Sequence, residues 1–300
     1  VLHPIHGDGL DTALARVDGI ELLTPSDDEE VGDALESVAQ VLVTFRWDDR
    51  FMVPNLRWIQ SISTGVDQFP LDELARHRVV LTSALGAHAP AVADHALALF
   101  LALVRGIGRA ARGAPARRWV PSPAVEVAGL TVVVLGMGEI GRRIAERLGA
   151  LSTDVIGVRL HPDRSTDGHV VGPDRLLWAC RQADAMICAL PAGADTEKLI
   201  GPAELAALGK GWLVNVGRGS VVDEEALVSA LVEKRLLGAA LDVTTVEPLP
   251  LESPLWDLEN VIVTPHMGWV SDRLTPRLAA IVEQNLTAFR GEGPWLNRVV

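Results

Sequence analysis

Apolar and polar positions along the chain fall into short runs of two alternating periods. Ahead of residue 90, apolar runs at 20–23, 41–45, 58–62 and 79–82 have the length and content of strands, while 28–38 and 71–77 carry helical spacing. After residue 130 the alternation resumes. Strands are expected at 132–135, 155–159, 185–190, 212–216, 238–243 and 261–264, with helices at 139–150, 173–182, 202–208 and 223–234. Strands separated by helices imply right-handed crossovers and parallel sheets. A last amphipathic helix is expected over 271–290, its buried side marked by Leu274, Leu278, Ile281, Val282, Asn285, Leu286 and Phe289.

The stretch 91–109 departs from this pattern. Its spacing is helical, yet apolar residues occupy nearly every face, which predicts burial either in the core or against another subunit. Gly106, Gly108, Gly113 and Pro115 then interrupt it, so 109–118 is expected to be an exposed connection.

Composition narrows the function classes. Three hundred residues, 48% of them hydrophobic, suffice for about two domains. A net charge of -12 disfavours nonspecific binding to nucleic acid. The most apolar run, 96–104, is far shorter than the roughly 20 residues of a membrane helix, and no signal peptide is visible. Cys180 and Cys188 lack the spacing of metal ligands and read as buried reduced thiols, which fits a cytoplasmic enzyme. His3, His6, His77, His88, His95, His161 and His169 show no ligand spacing either, so no metal is expected.

Candidate chemistry starts at Gly136-Met-Gly138-Glu-Ile-Gly141, which joins an apolar strand to an amphipathic helix. Three glycines in that context suit a dinucleotide pyrophosphate at a helix N-terminus, although a tight turn alone could also require them. The next strand ends in Arg159, with His161, Asp163 and Arg164 close behind. An NAD site usually has a carboxylate there for the ribose hydroxyls, whereas an arginine attracts a 2'-phosphate; NADP is therefore the expected cofactor, with NAD possible. Three later strands end in Asn215-Val-Gly-Arg218, Asp242-Val-Thr-Thr-Val-Glu247 and Thr264-Pro-His266. They should project over the same carboxyl edge as the glycine turn. Arginine binds carboxylates bidentately, histidine exchanges protons near neutral pH, and a glutamate beside it favours imidazolium and orients the ring. The loop Thr64-Gly65-Val66 also follows a strand, and its amides suit either a ligand or a simple turn.

Together these strings resemble the D-isomer-specific 2-hydroxyacid dehydrogenases over nearly the whole chain: 134–141, Leu190-Pro191 with Thr196, Asn215 to Asp223, Asp242 to Pro250, and Thr264-Pro-His266. The resemblance implies a Rossmann-type doubly wound α/β domain, 89–269, inserted into a discontinuous flavodoxin-like α/β substrate domain, 1–88 and 270–300, with a cleft between them. It makes Arg218, Glu247 and His266 catalytic and Thr64, Gly65 and Val66 the substrate-carboxylate loop. Around the cofactor it places Gly136, Gly138, Glu139, Ile140, Gly141, Leu190, Pro191, Thr196, Val216 and Asp242. The implied activity is hydride transfer between a nicotinamide and C2 of a small 2-oxo acid or D-2-hydroxy acid, with His266 exchanging the proton. The 91–109 helix resembles the family's dimer-forming helix, so a homodimer is expected. Trp269 departs from the family pattern and suggests either a narrowed pocket or interdomain packing, while Arg46-Trp47 could line the same pocket. A second class stays open beside the enzyme: a dinucleotide-sensing binding protein like the family's corepressors, with little turnover.

Overall fold

The computed structural model describes residues 1–5, 9–162 and 169–300, and the chain divides into two units, 1–88 with 270–300, and 89–269. The first unit contains α1 (Leu10–Leu14), α2 (Asp28–Ser37), β1 (Val41–Thr44), β2 (Trp58–Ser61), α3 (Leu71–His77), β3 (Val80–Thr82) and the C-terminal helix Leu274–Phe289. The strands pair in parallel in the order β1-β2-β3. Period-two alternation splits their side chains between two cores: Val43 and Trp58 meet Leu278, Val282 and Leu286, whereas Leu42, Ile59 and Leu81 meet Leu35 and Leu74. Helix α2 starts where the Asp27 side chain accepts the Glu30 amide, a cap that satisfies one of the orphan donors of the first turn.

The expected strand over 20–23 does not form. Its neighbour is the short edge segment at Leu2, which bridges Val43 in parallel, and Leu2 N donates to Leu23 O at 2.9 Å. So short a partner cannot support a ladder. Counting both edge segments, the strand order is 2-1-3-4-5, the flavodoxin-like arrangement. Helix α1 gave no signal in the sequence, because one turn with Leu10 and Leu14 buried is too short to show a period.

The second unit runs α4 (Ala89–Val104), α5 (Ile107–Gly113), β4 (Thr131–Leu135), α6 (Glu139–Ala150), β5 (Asp154–Val158), β6 (Val170–Val171), α7 (Leu176–Gln182), β7 (Ala185–Cys188), α8 (Pro202–Leu208), β8 (Trp212–Asn215), α9 (Glu224–Val232), β9 (Gly238–Leu241) and β10 (Val261–Val263). All seven strands are parallel, ordered β10-β9-β8-β7-β4-β5-β6. The order reverses between β4 and β7, as in a Rossmann-type doubly wound sheet, and this reversal is where such sheets open a crevice. Val133, Leu135, Met186 and Leu213 face one buried layer, and Val132, Val134, Ile187 and Val214 the other. Burial on both faces explains why these strands read as continuous apolar runs.

The single helix expected over 91–109 is two helices bent by 72°. Gly106 lies between them with φ 63°, a left-handed conformation that stops α4, and α5 then continues helically into the region expected to be a connection. Val92, Ala93, Ala96, Leu99, Phe100 and Val104 are buried within this unit's own core, which accounts for most of the helix's apolar girth. Among the described residues, no single helix is long and apolar enough to cross a membrane.

Candidate active site

Six strand ends of the second unit bear the residues singled out by the sequence, and parallel pairing puts them all on one edge. Gly136 leaves β4 with φ 91°, and a Cβ there would come within 2.9 Å of the Ala189 carbonyl oxygen beyond β7. A Cβ on Gly141 would collide with the Gly136 carbonyl oxygen, so this glycine permits α6 to pack against its own strand. Gly138 is different. Its backbone is extended (φ -81°, ψ -157°), no side chain caps the helix, and a Cβ would meet nothing within 4 Å. The positive end of a 12-residue helix therefore faces open space, which fits a bound pyrophosphate. Glu139 and Ile140 open the helix, and the Glu139 carboxylate pairs with Arg142.

Arg159 immediately follows β5, and its amide donates to Val171 O at 3.0 Å. Asp163 and Arg164, set beside it by the sequence, lie outside the described residues, as does His6. Beyond β7, Leu190 and Pro191 lead into a loop closed by Thr196, whose hydroxyl donates to Pro191 O at 2.8 Å. Val216 extends β8 by donating its amide to Cys188 O. Buried Asn215 then folds the chain back: its Oδ1 accepts from Gly217 N and its Nδ2 donates to Arg218 O, both at 3.0 Å. A Cβ on Gly219 would collide with the Thr244 carbonyl, so the loop bearing Arg218 lies directly against the loop bearing Glu247.

His266 and Glu247 meet. Nδ1 lies 2.7 Å from Glu247 Oε2, while Oε1 of the same carboxylate accepts from Thr244 N at 3.1 Å. The glutamate is thereby held on one side and holds the ring on the other. The imidazole keeps 45% of its surface exposed, so Nε2 remains within reach of a ligand. His266 has φ 49°, a costly conformation for a residue with a side chain, of the kind that concentrates at functional sites. Its amide donates to Asp242 O and Thr264 O, and the Trp269 indole donates to its carbonyl at 2.8 Å. Trp269 thus has a definite role within its own unit as a clasp on the histidine backbone.

Asp242 is buried at the end of β9. Its carboxylate accepts from Thr264 Oγ1 at 2.6 Å, from Met267 N at 3.0 Å and from Gly268 N at 2.9 Å, and His95 Nε2 lies 3.1 Å away. Burial alone would raise its pKa, but these donors outweigh that effect and hold it down to about 2. The two cysteines are chemically quiet. Both are free and buried, and burial pushes each thiol up to about 12.

The Thr64-Gly65-Val66 loop belongs to the first unit, where it follows β2. Ser63 supports it, its hydroxyl donating to Gly65 O at 2.7 Å, and Gly65 is not among the glycines with positive φ. Nearby, Arg46 is committed to Asp28, with Nη2 2.5 Å from Oδ2.

A doubly wound sheet with a glycine cradle at its switch point, and with arginine, glutamate and histidine on adjacent strand ends, marks an NAD(P)-dependent oxidoreductase. Residues 97–268 match the model of the D-isomer specific 2-hydroxyacid dehydrogenase NAD binding domain. The chain is 33% identical over 275 residues to glyoxylate/hydroxypyruvate reductase B of Enterobacter sp. (strain 638), a match covering 88% of this chain and 85% of the relative. It is 36% identical over 243 residues to the reductase of the same name from Pectobacterium carotovorum subsp. carotovorum (strain PC1), covering 78% and 76%. The crystal structure of the NADPH-dependent glyoxylate/hydroxypyruvate reductase from Sinorhizobium meliloti, in complex with NADP and malonate, superposes with a TM-score of 0.84 at 28% identity, covering 100% of this chain and 96% of that one. The chain belongs to the D-isomer specific 2-hydroxyacid dehydrogenase family, and it is an NAD(P)-dependent dehydrogenase.

Two supporting roles are absent from the sequence expectations, the turn closed by Asn215 and the contact made by His95. Asn215 carried a usable signal, since an asparagine two before a glycine at a strand end suggests a side-chain-closed turn. His95 carried none, because its partners lie far along the chain, Thr264 being 169 residues away.

Proposed function

We propose that this chain reduces small 2-oxo acids of the glyoxylate and hydroxypyruvate type to D-2-hydroxy acids, with NADPH as the preferred reductant. The observation that carries this reading is the 2.7 Å His266–Glu247 pair two strands from the guanidinium of Arg218, on the edge that also bears the glycine cradle. When bound, the dinucleotide supplies a hydride to the keto carbon. Arg218 holds the substrate carboxylate and stabilises charge growing on the former carbonyl oxygen. His266, with Nδ1 engaged by Glu247, presents Nε2 and gives its proton to that oxygen. The products are the hydroxy acid, the oxidised dinucleotide and neutral His266, which solvent reprotonates. Glu247 keeps the ring oriented and offsets the imidazolium charge.

The remaining roles belong to the same proposal. Backbone amides of Thr64, Gly65 and Val66 take the substrate carboxylate, Gly136 to Gly141 cradle the pyrophosphate, and Leu190, Pro191, Thr196 and Val216 border the nicotinamide half. A carboxylate has about four acceptor sites. Oδ2 of Asp242 accepts only from Gly268 among the described residues, which leaves it able to receive one further donor, such as a carboxamide. The relatives named above are reductases, and none supports the corepressor-like alternative. Two free, buried thiols fit a reducing cytoplasm. A homodimer remains the proposed assembly.

Arg159 decides the choice of cofactor in this reading, by attraction of its guanidinium for the 2'-phosphate. Arg159→Asp should lower kcat/KM for NADPH relative to NADH by at least about tenfold, the factor that ~1.4 kcal/mol of lost interaction represents. An unchanged ratio would sink the assignment.

A further inference from the structure

His95 lies on α4, remote in sequence from every strand-end loop, yet its Nε2 is 3.1 Å from both Thr264 Oγ1 and Asp242 Oδ1. Thr264 has one hydroxyl proton, and at 2.6 Å from Asp242 Oδ1 that proton is committed to the carboxylate. The threonine oxygen can therefore only accept from His95, and the carboxylate can only accept. Both neighbours require the proton on Nε2. The histidine is thus the outer donor of a small relay whose centre is Asp242.

What Asp242 holds gives the relay its meaning. Its carboxylate takes the amides of Met267 and Gly268, and its backbone carbonyl takes the amide of His266. Three consecutive amides are thereby fixed by one residue, directly at the left-handed turn that aims the imidazole. His95 also packs on this turn: a Cβ on Gly268 would lie 3.3 Å from His95 Cδ2 and 2.8 Å from Asp242 Oδ2, so the site admits only glycine without displacement. A helix anchored in the core by Ala93, Ala96 and Phe100 thus supports the loop through the His95 side chain.

We infer that His95 is a positioning residue for His266, acting through Asp242 and Thr264 to hold the 266–268 turn in the geometry that proton transfer needs. The inference rests on the role proposed above for His266. His95 itself touches neither substrate nor cofactor in this scheme. A catalytic group displaced by about 1 Å can lose on the order of 100-fold in rate, so a loosened turn should appear in kcat.

The test compares His95→Leu, which removes the donor, with His95→Gln, whose amide nitrogen can reach the same acceptors, following NADPH oxidation with glyoxylate and hydroxypyruvate. His95→Leu should lower kcat at least ~10-fold, with KM for the oxo acid and Kd for NADPH within about twofold of wild type, and His95→Gln should recover most of the loss. In a His266→Ala background, assayed at high enzyme concentration, His95→Leu should cost nothing further, because the residue it positions is gone. Wild-type kcat in His95→Leu, failure of the glutamine to rescue, or an equal loss in both backgrounds would each overturn the inference. If His95→Leu does not fold, Thr264→Val breaks the same relay and carries the same expectation. Wild-type turnover by His266→Ala alone would instead contradict the proposed reaction.

Discussion

At the scale of single residues, Asp242 shows how a buried charge is made favourable. Transfer of a carboxylate from water is costly, and His95, Thr264, Gly268 and Met267 together more than compensate. With its pKa lowered from 3.8 to about 2, the folded state binds this proton less readily than the unfolded chain does. Its contribution, about 2 kcal/mol, is thus fully present above pH 4 and is lost as pH falls through about 2. Asp242→Asn should accordingly be destabilised by about that amount at pH 7 in urea unfolding, and the gap from wild type should close between pH 4 and 2. A gap that stays constant with pH would show that the carboxylate's charge is not what matters. The residue itself was visible in the sequence as part of an Asp242 to Pro250 string. Its pairing with these donors was not, since all four lie more than twenty positions away and no local period connects them.

At the scale of elements, the strand-to-helix turn of β4 and α6 assigns opposite duties to glycines three residues apart. Gly141 is needed for packing, because any Cβ strikes the Gly136 carbonyl; a Cβ on Gly138 strikes nothing, and its proposed duty is to leave room for the pyrophosphate. The variants should separate cleanly. Gly141→Ala should lower Tm by several degrees, in line with an overpacking cost of about 1–3 kcal/mol. Gly138→Ala should leave Tm nearly unchanged while raising Kd for NADPH at least about tenfold in a fluorescence titration. Equal Kd values for wild type and Gly138→Ala would remove the pyrophosphate from this cradle. This helix was legible to the residue, Glu139–Ala150, because apolar strand, glycines and amphipathic period all agree there. The 20–23 strand and the unbroken 91–109 helix were misread for the opposite reason. A strand depends on a partner that the segment itself does not contain, and the bend at Gly106 depends on one glycine's φ within an otherwise helical run.

At the scale of the whole molecule, two α/β units share one chain, and the family match accounts for both: the relative from Enterobacter covers 88% of the sequence. The doubly wound unit was readable because both faces of its sheet are buried, which imprints continuous apolar runs set apart by helical spacing. The first unit was harder to read, since one edge of its sheet is the single bridge at Leu2, a fragment too short to leave a pattern. Assembly is the property least visible at this scale. The burial of α4 inside its own unit removes the need for a second subunit to explain most of its apolar faces, but Leu97, Leu101 and Leu103 remain only partly covered. We expect a dimer, of about twice 32.1 kDa, by light scattering at micromolar concentration; a mass of one chain would reject it. Proton donation by His266 is tested by comparing NADPH oxidation with glyoxylate or hydroxypyruvate in the wild-type protein and in His266→Ala. Turnover by the wild type is expected, with a fall of at least ~100-fold in kcat for the variant and NADPH binding intact. Tight NADPH binding without turnover in the wild type, or equal turnover in both proteins, would contradict it.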